Sequence, residues 1–357
     1  MSATRESRSD YFFLGLLIFV PLSLYTAWRG MPPWMVFAAS LLAIVPLARY
    51  ISLATEELAS RSGPALGGLL NATFGNAPEL IISGFALAAG LVSVVKAAIV
   101  GSILGNLLLV LGTAILAGGV TRTAQRFNLT AARANASVLL LAVAALVIPA
   151  VFFATSAAVS PRAVEDLSLA IAGLMMLVYG GVLLFSLKTH KHLYVEAEAE
   201  GDGRGWSRVA SALALLAATA ATAAVSEVFV GSIRPIVDSF GWTEGFIGAV
   251  VIAIAGNAAE HASAVSAALK DRMDLALAIS VGSATQVLMF VTPALVIAGA
   301  LLGAPMTLVF STFSLVALVF GIFVANSIIE DGESNWFEGL QLIALYGIVA
   351  AAFFFHP

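Results

Sequence analysis

Apolar runs of about 20 residues follow one another along nearly the whole 357-residue chain, with only short polar breaks between them. Each is long enough to cross a hydrocarbon core of about 30 Å as a helix. We count eleven, near residues 11–28, 34–52, 64–90, 94–117, 134–154, 167–187, 207–230, 244–268, 274–301, 306–326 and 337–355. A chain that is 60% hydrophobic and 11% charged, with mean hydropathy +1.00, lies outside the range of soluble domains. The runs lack apolar/polar alternation and exceed the roughly 10 residues of a barrel strand, so helices are expected rather than a β-barrel. The first run follows a short arm and carries no small-residue cleavage pattern, which reads as a retained helix. The chain has no cysteine, which excludes disulfides and thiolate sites. A net charge of -4 with scattered basic residues points away from nucleic acid as a partner; the lipid bilayer is the expected partner, and an oligomer is compatible with the sequence.

Lys and Arg counting sets the expected orientation. With a cytoplasmic N-terminus, thirteen basic residues, Arg49 among them, fall on the inner side, and four, Arg29, Lys96, Arg162 and Arg234, on the outer side. The N-terminus is therefore expected inside and the C-terminus outside, in a microbial plasma (inner) membrane.

An internal repeat divides the chain. LGGLLNATFGNAPE at 66–79 aligns with IGAVVIAIAGNAAE at 247–260, so that Gly67, Gly75, Asn76 and Glu79 match Gly248, Gly256, Asn257 and Glu260. The same offset of 181 carries Gly101-Ser102 onto Gly282-Ser283. Upstream, TEELA at 55–59 matches SEVFV at 226–230 at an offset of 171, and the difference belongs in a loop. The expected architecture is an all-α membrane protein of about eleven transmembrane helices: a leading helix over 1–33, a five-helix repeat over 34–189, an acidic cytosolic linker over 190–205, and a second five-helix repeat over 206–357. Because five is odd, the halves enter the membrane from opposite sides, the inverted repeat of secondary transporters, whose sites lie near the midplane.

Glu79 lies about 15 residues, hence roughly 22 Å, into its run, and Glu260 is similarly deep. A carboxylate at that depth is costly and marks an ion or proton path. Asn76 precedes Glu79, and Asn257 precedes Glu260, by three residues, so amide and carboxyl share a helix face; Asn71 lies two turns before Glu79 on nearly the same face. Ser102 with Asn106 and Ser283 with Gln286 add oxygens at i+4 and i+3 spacing on the following helices. An all-oxygen donor set suits a hard cation. Gly75, Gly256 and Pro78 weaken the helices here and could free backbone carbonyls, although glycines at this spacing equally serve close packing. His261 stands where the first half has Leu80; it is a candidate proton relay or a packed side chain. Glu227 is a candidate for ion access or gating, matched to Glu56.

At GNAPE and GNAAEH the sequence resembles the Ca2+/H+ antiporter family of the cation/Ca2+ exchanger superfamily. GSILGN and GSATQ resemble that family's second pair of elements, and the likeness runs over about 300 residues. The resemblance implies secondary active exchange of Ca2+ for H+ by alternating access, with no ATP motif and no cofactor beyond the transported ions. It implies Glu79 and Glu260 as the groups that hold Ca2+ and protons in turn, with Asn76, Asn257, Ser102, Ser283, Gln286 and Asn106 lining the site. The alternatives are a Na+/Ca2+ exchanger or Mn2+/H+ antiporter of the same superfamily and, from another class, a cation channel. An enzyme is not expected, since no HExxH and no intramembrane aspartate pair is present.

Overall fold

The structure, a computed structural model, describes residues 11–156, 160–190 and 205–356. The expected acidic linker therefore lies, except for its first and last residues, outside the described residues. The helices are α1 (Tyr11–Trp28), α2 (Pro33–Ser60), α3 (Pro64–Phe74), α4 (Ala77–Ala88), α5 (Val92–Gly119), α6 (Leu129–Thr155), α7 (Pro161–Thr189), α8 (Arg208–Phe240), α9 (Glu244–Gly256), α10 (Ala258–Leu269), α11 (Met273–Leu301), α12 (Thr312–Ile329) and α13 (Trp336–Phe355). Among the described residues nine helices are long and apolar enough to span a membrane, or ten if α9 and α10, bent by 57° at their junction, form one broken span. The count falls short of eleven because the run expected over 64–90 is two helices of 11 and 12 residues, α3 and α4, each too short to cross alone. The described strands are two residues each, β1 (Gln125–Arg126) paired antiparallel with β2 (Glu333–Ser334).

Burial separates the interior of the bundle from its lipid-facing shell. The most apolar stretch of α5 is 83% buried and that of α11 is 61% buried, against 22% for α7 and α13. Around α5 the sequence is apolar on every face, Ile103, Leu104, Leu107, Leu108 and Leu111 being all but inaccessible, as expected of a helix enclosed by others. α2 and α8 pack along each other, α1 lies on α2, and α5 packs against α9, α10 and α13.

The link between α11 and α12 differs from the span expected to begin at 306. Residues 302–311 are non-helical, with Gly303 at φ 72° and Pro305 unable to donate to a helix. Two side chains hold this segment: Lys96 Nζ donates to the Val309 carbonyl at 2.7 Å, and the Leu308 N–H donates to Ser168 Oγ at 3.0 Å. Ser311 then caps α12 by accepting from the Ser314 N–H. At the end of the molecule where β1 pairs with β2, Arg122 closes the last turns of α5 and α10, donating to the Gly118 carbonyl at 2.9 Å and the Leu269 carbonyl at 3.3 Å while pairing with Asp271 at 3.1 Å.

Candidate functional site

Both GN motifs break their helices at the asparagine. Asn76 has φ -103°, ψ 19° and Asn257 has φ -91°, ψ 14°, so two residues 181 apart leave the helical region in the same way. Proline is not the cause. Pro78 sits in the first turn of α4, where no N–H is needed, and Ala259 occupies the matching place in α10, which starts just as abruptly. The break does two things. It places Glu79 and Glu260 each third in a new helix, where the positive end of the helix dipole favours a carboxylate. It also leaves both asparagine side chains without the usual bond to their own helix N-terminus, free to pair elsewhere.

They pair across the repeat. Asn76 Nδ2 donates to Gln286 Oε1 of α11, at 2.5 Å, and Asn257 Nδ2 donates to Ser102 Oγ of α5, at 2.6 Å. Asn106 Nδ2 donates to both Asn257 Oδ1 and Ser283 Oγ, at 3.0 Å each, tying α5 to α10 and α11. Asn106 lies in a π-helical stretch, Gly105–Val110, and Gln286 immediately precedes another, Val287–Val291. Such local widening is frequent at functional sites and lets a side chain leave the ordinary helical row. Asn76, Asn106, Asn257, Ser102 and Glu79 are buried, Ser283 nearly so, and Glu260 half-buried. The carboxyl oxygens Glu79 Oε2 and Glu260 Oε2, with Asn106 Oδ1, are buried without a hydrogen-bond donor. A Cβ placed on Gly256 would stand 3.2 Å from Glu79 Oε1, so the carboxyl of the first half rests against the backbone break of the second. Among the described residues no three His, Asp or Glu side chains gather to hold a metal.

Three expected members stand apart. Asn71 is exposed, its carbonyl accepting from the Gly75 N–H at 2.8 Å, because α3 leans away from the bundle centre. Glu227 is exposed on α8, whereas Glu57 of α2 is buried and paired with Arg61 at 3.5 Å. His261 is half-buried beside Glu260 and its Nε2 has no partner, outside the amide network. Sequence reading missed Arg49. Counted as a flanking charge, it lies inside α2 and donates to Ser263 Oγ of α10 at 3.3 Å. Its position inside a run that continues apolar to Ala54 is the signal that could have found it.

The two halves are not equally closed. Gly248 of α9 meets α5 so tightly that an added Cβ would lie 2.5 Å from the Val94 carbonyl oxygen, and Gly101 of α5 is pressed against the backbone of Ala249. Their repeat partners do not meet each other's helices: Gly67 is pressed against α2, where an added Cβ would lie 2.5 Å from the Ala59 carbonyl oxygen, and nothing lies within 4 Å of a Cβ on Gly282. α3 leans instead on the end of α7, where Gly68 adjoins Leu187, and leaves Leu66 and Leu69 exposed.

Residues 32–188 and 210–355 match the family described as sodium/calcium exchanger protein. The chain is 44% identical to a Ca2+/H+ antiporter of Aphanothece halophytica over 97% of its own length and 96% of that protein's. It is 45% identical to a Ca2+/H+ antiporter of Synechocystis sp., over 98% and 99% respectively. The fold superposes on the solved structure of native YfkE with TM-score 0.84 and 42% identity, covering 96% of this chain and 99% of that one. With a membrane bundle of this shape and a match over both halves, the chain belongs to the sodium/calcium exchanger protein family and groups with its Ca2+/H+ antiporters.

Proposed function

We propose that this chain is a secondary active transporter that exchanges Ca2+ for H+ by alternating access, and not an enzyme. One observation carries the reading: two carboxyls, one from each repeat, Glu79 buried and Glu260 half-buried, each third in a broken helix whose N-cap asparagine joins a network of amide and hydroxyl side chains from both repeats. The relatives' names supply the ions.

Glu79 and Glu260 are the groups that hold Ca2+ and protons in turn. Two ionised carboxylates in hydrocarbon are prohibitively costly, so the pair must be neutralised before it can be moved past the membrane centre. A divalent cation or protons can do this; competition for the same oxygens makes the exchange obligatory. Asn106 and Asn257 donate through their amide nitrogens, which orients Ser102 and Ser283 and turns Asn106 Oδ1 free as a ligand. Gln286 Oε1 is held by Asn76. Pro78 has no N–H, so the Phe74 carbonyl lacks its i+4 donor and supplies one more oxygen. Asn71, Glu227 and His261 are assigned to the approach route rather than to the ion itself.

The unequal closure fits one half of an alternating cycle. Two inverted five-helix repeats, 34–189 and 206–357, exchange the close α9–α5 contact for its repeat equivalent between α3 and α11. With the N-terminus cytoplasmic and the C-terminus outside, as the charge distribution favours, the loosened α3 faces the cytoplasm of a microbial inner membrane.

Purified protein in liposomes with an internal pH dye tests this. Added external Ca2+ is expected to drive proton movement in wild type and to fail in both Glu79→Gln and Glu260→Gln. Flux that requires a Na+ gradient, flux without a counter-ion, or normal transport by either variant overturns the reading.

A further inference from the structure

Arg49 is the charged side chain that exchange through the two carboxyls leaves without a role, and the inference drawn from it rests on that reading. It lies in α2, half-buried, well before the helix ends at Ser60. Nη1 donates to Ser263 Oγ, the guanidinium carbon is 6.0 Å from the centre of the Phe13 ring of α1, and Nε is buried without an acceptor. A guanidinium in this setting is expensive unless a negative group lies within electrostatic reach. Ser263 follows Glu260 by three residues, so the two share a face of α10. Glu260 Oε2 is in turn buried without a donor, and the two residues form no ion pair. The charged groups whose fields reach Glu260 are Glu79 of α4, Glu56 of α2 and Arg49, the one positive charge among them.

Ser52 and Glu56 continue the Arg49 face of α2 at i+3 and i+7. Ser52 Oγ donates to Glu56 Oε1 at 2.9 Å, and Glu56 is exposed. α2 thus presents a polar stripe with a carboxylate near its open end and a guanidinium beside the site. An arrangement that gathers cations at one end and repels them at the other favours binding that is reversible, which transport requires.

We propose that Arg49 is an affinity-setting residue: its fixed positive charge opposes cation binding at Glu260 and keeps the site weak enough to release Ca2+. The Coulomb energy scales with valence, so the charge opposes one Ca2+ as strongly as the two protons that take its place on the two carboxyls. Removing it tightens Ca2+ binding once both carboxyls are ionised, the condition in which that binding is measured.

The test uses the full chain, detergent-purified for equilibrium 45Ca2+ binding and reconstituted for initial rates of Ca2+-driven proton movement. Arg49→Gln and Arg49→Met remove the charge; Arg49→Lys keeps it. The neutral variants are expected to bind Ca2+ on the order of tenfold more tightly, about 1.4 kcal/mol, with KM for Ca2+ falling in parallel and the maximal rate reduced because release slows. Arg49→Lys is expected to stay within about twofold of wild type, since its charge remains in place. A packing role predicts no such split between charge-removing and charge-keeping variants. Unchanged or weakened Ca2+ binding in the neutral variants overturns the proposal. So does their failure to fold, which makes Arg49 a structural residue. Wild type that exchanges no Ca2+ for protons instead overturns the function on which the inference rests.

Discussion

Adding one methyl group at Gly248 tests the unequal closure of the two halves. The new Cβ would meet the Val94 carbonyl oxygen at 2.5 Å, Ala97 Cβ at 2.7 Å and the Ala98 nitrogen at 2.9 Å. Ordinary contact begins near 3.4 Å, so α9 must retreat from α5 by close to an ångström, and backbone atoms cannot swing aside as a side-chain tip can. Overpacking of this kind costs about 1–3 kcal/mol, partly offset by roughly 1 kcal/mol that alanine gains over glycine in a helix. The gross cost weights against the closed α9–α5 state by about 5- to 150-fold. The control is the repeat-related Gly282→Ala, whose Cβ enters open space. Heat denaturation in detergent is expected to show Gly248→Ala destabilised and Gly282→Ala unchanged or slightly stabilised. Exchange in liposomes is expected to slow in both, because closing α3 onto α11 in the other half of the cycle brings a backbone against Gly282. Equal destabilisation of the two variants, or full turnover by Gly282→Ala, would refute this reasoning.

Asn106→Leu removes the donor shared by Asn257 and Ser283, both at 3.0 Å. Leaving those buried groups unpaired is expected to cost about 1–3 kcal/mol of stability and to abolish exchange; retained Ca2+ binding measured by calorimetry would place Asn106 outside the site. Asn335→Ala removes a capping box in which Asn335 accepts from the Glu338 N–H and Glu338 accepts from the Asn335 N–H. A loss of about 0.5–2 kcal/mol is expected, with exchange kinetics preserved, because the cap lies at the end of α13 away from the carboxyls; denaturation and transport assays on one preparation separate the two effects.

Most of the bundle is legible because a spanning helix declares itself locally, by length and apolarity. The bounds of α5, α11 and α13 fall within a few residues of their runs. α2 and α8 run past theirs, to Ser60 and Phe240, since polar residues continue a helix once its backbone bonds are made. The false start at 306 has the opposite origin. Residues 306–310 are apolar enough to pass for a span but form a non-helical segment that buries Met306, Leu308 and Phe310 and is held by Lys96 and Ser168, both far away in sequence.

The candidate site divides in the same way. Glu79, Glu260 and their asparagines follow from the chain alone, because the GN motifs repeat at one offset and because ionisable groups at such depth need a purpose. Asn71 shows where helical spacing misleads: the rule that put it on the face of Glu79 assumes one continuous helix, and the break at Asn76 intervenes.

The sequence by itself determines a membrane bundle, its twofold repeat and the pair of carboxyls, all of which depend on local composition and on the comparison of one half with the other. Only the tertiary structure decides which amide meets which hydroxyl, that Arg49 reaches α10, and that α9 is sealed against α5 while α3 stands away from α11. Near-identical motifs in the two halves encode equivalent local conformations. Which of the two is closed depends on the packing between helices far apart in sequence, and a moving transporter must be able to reverse it.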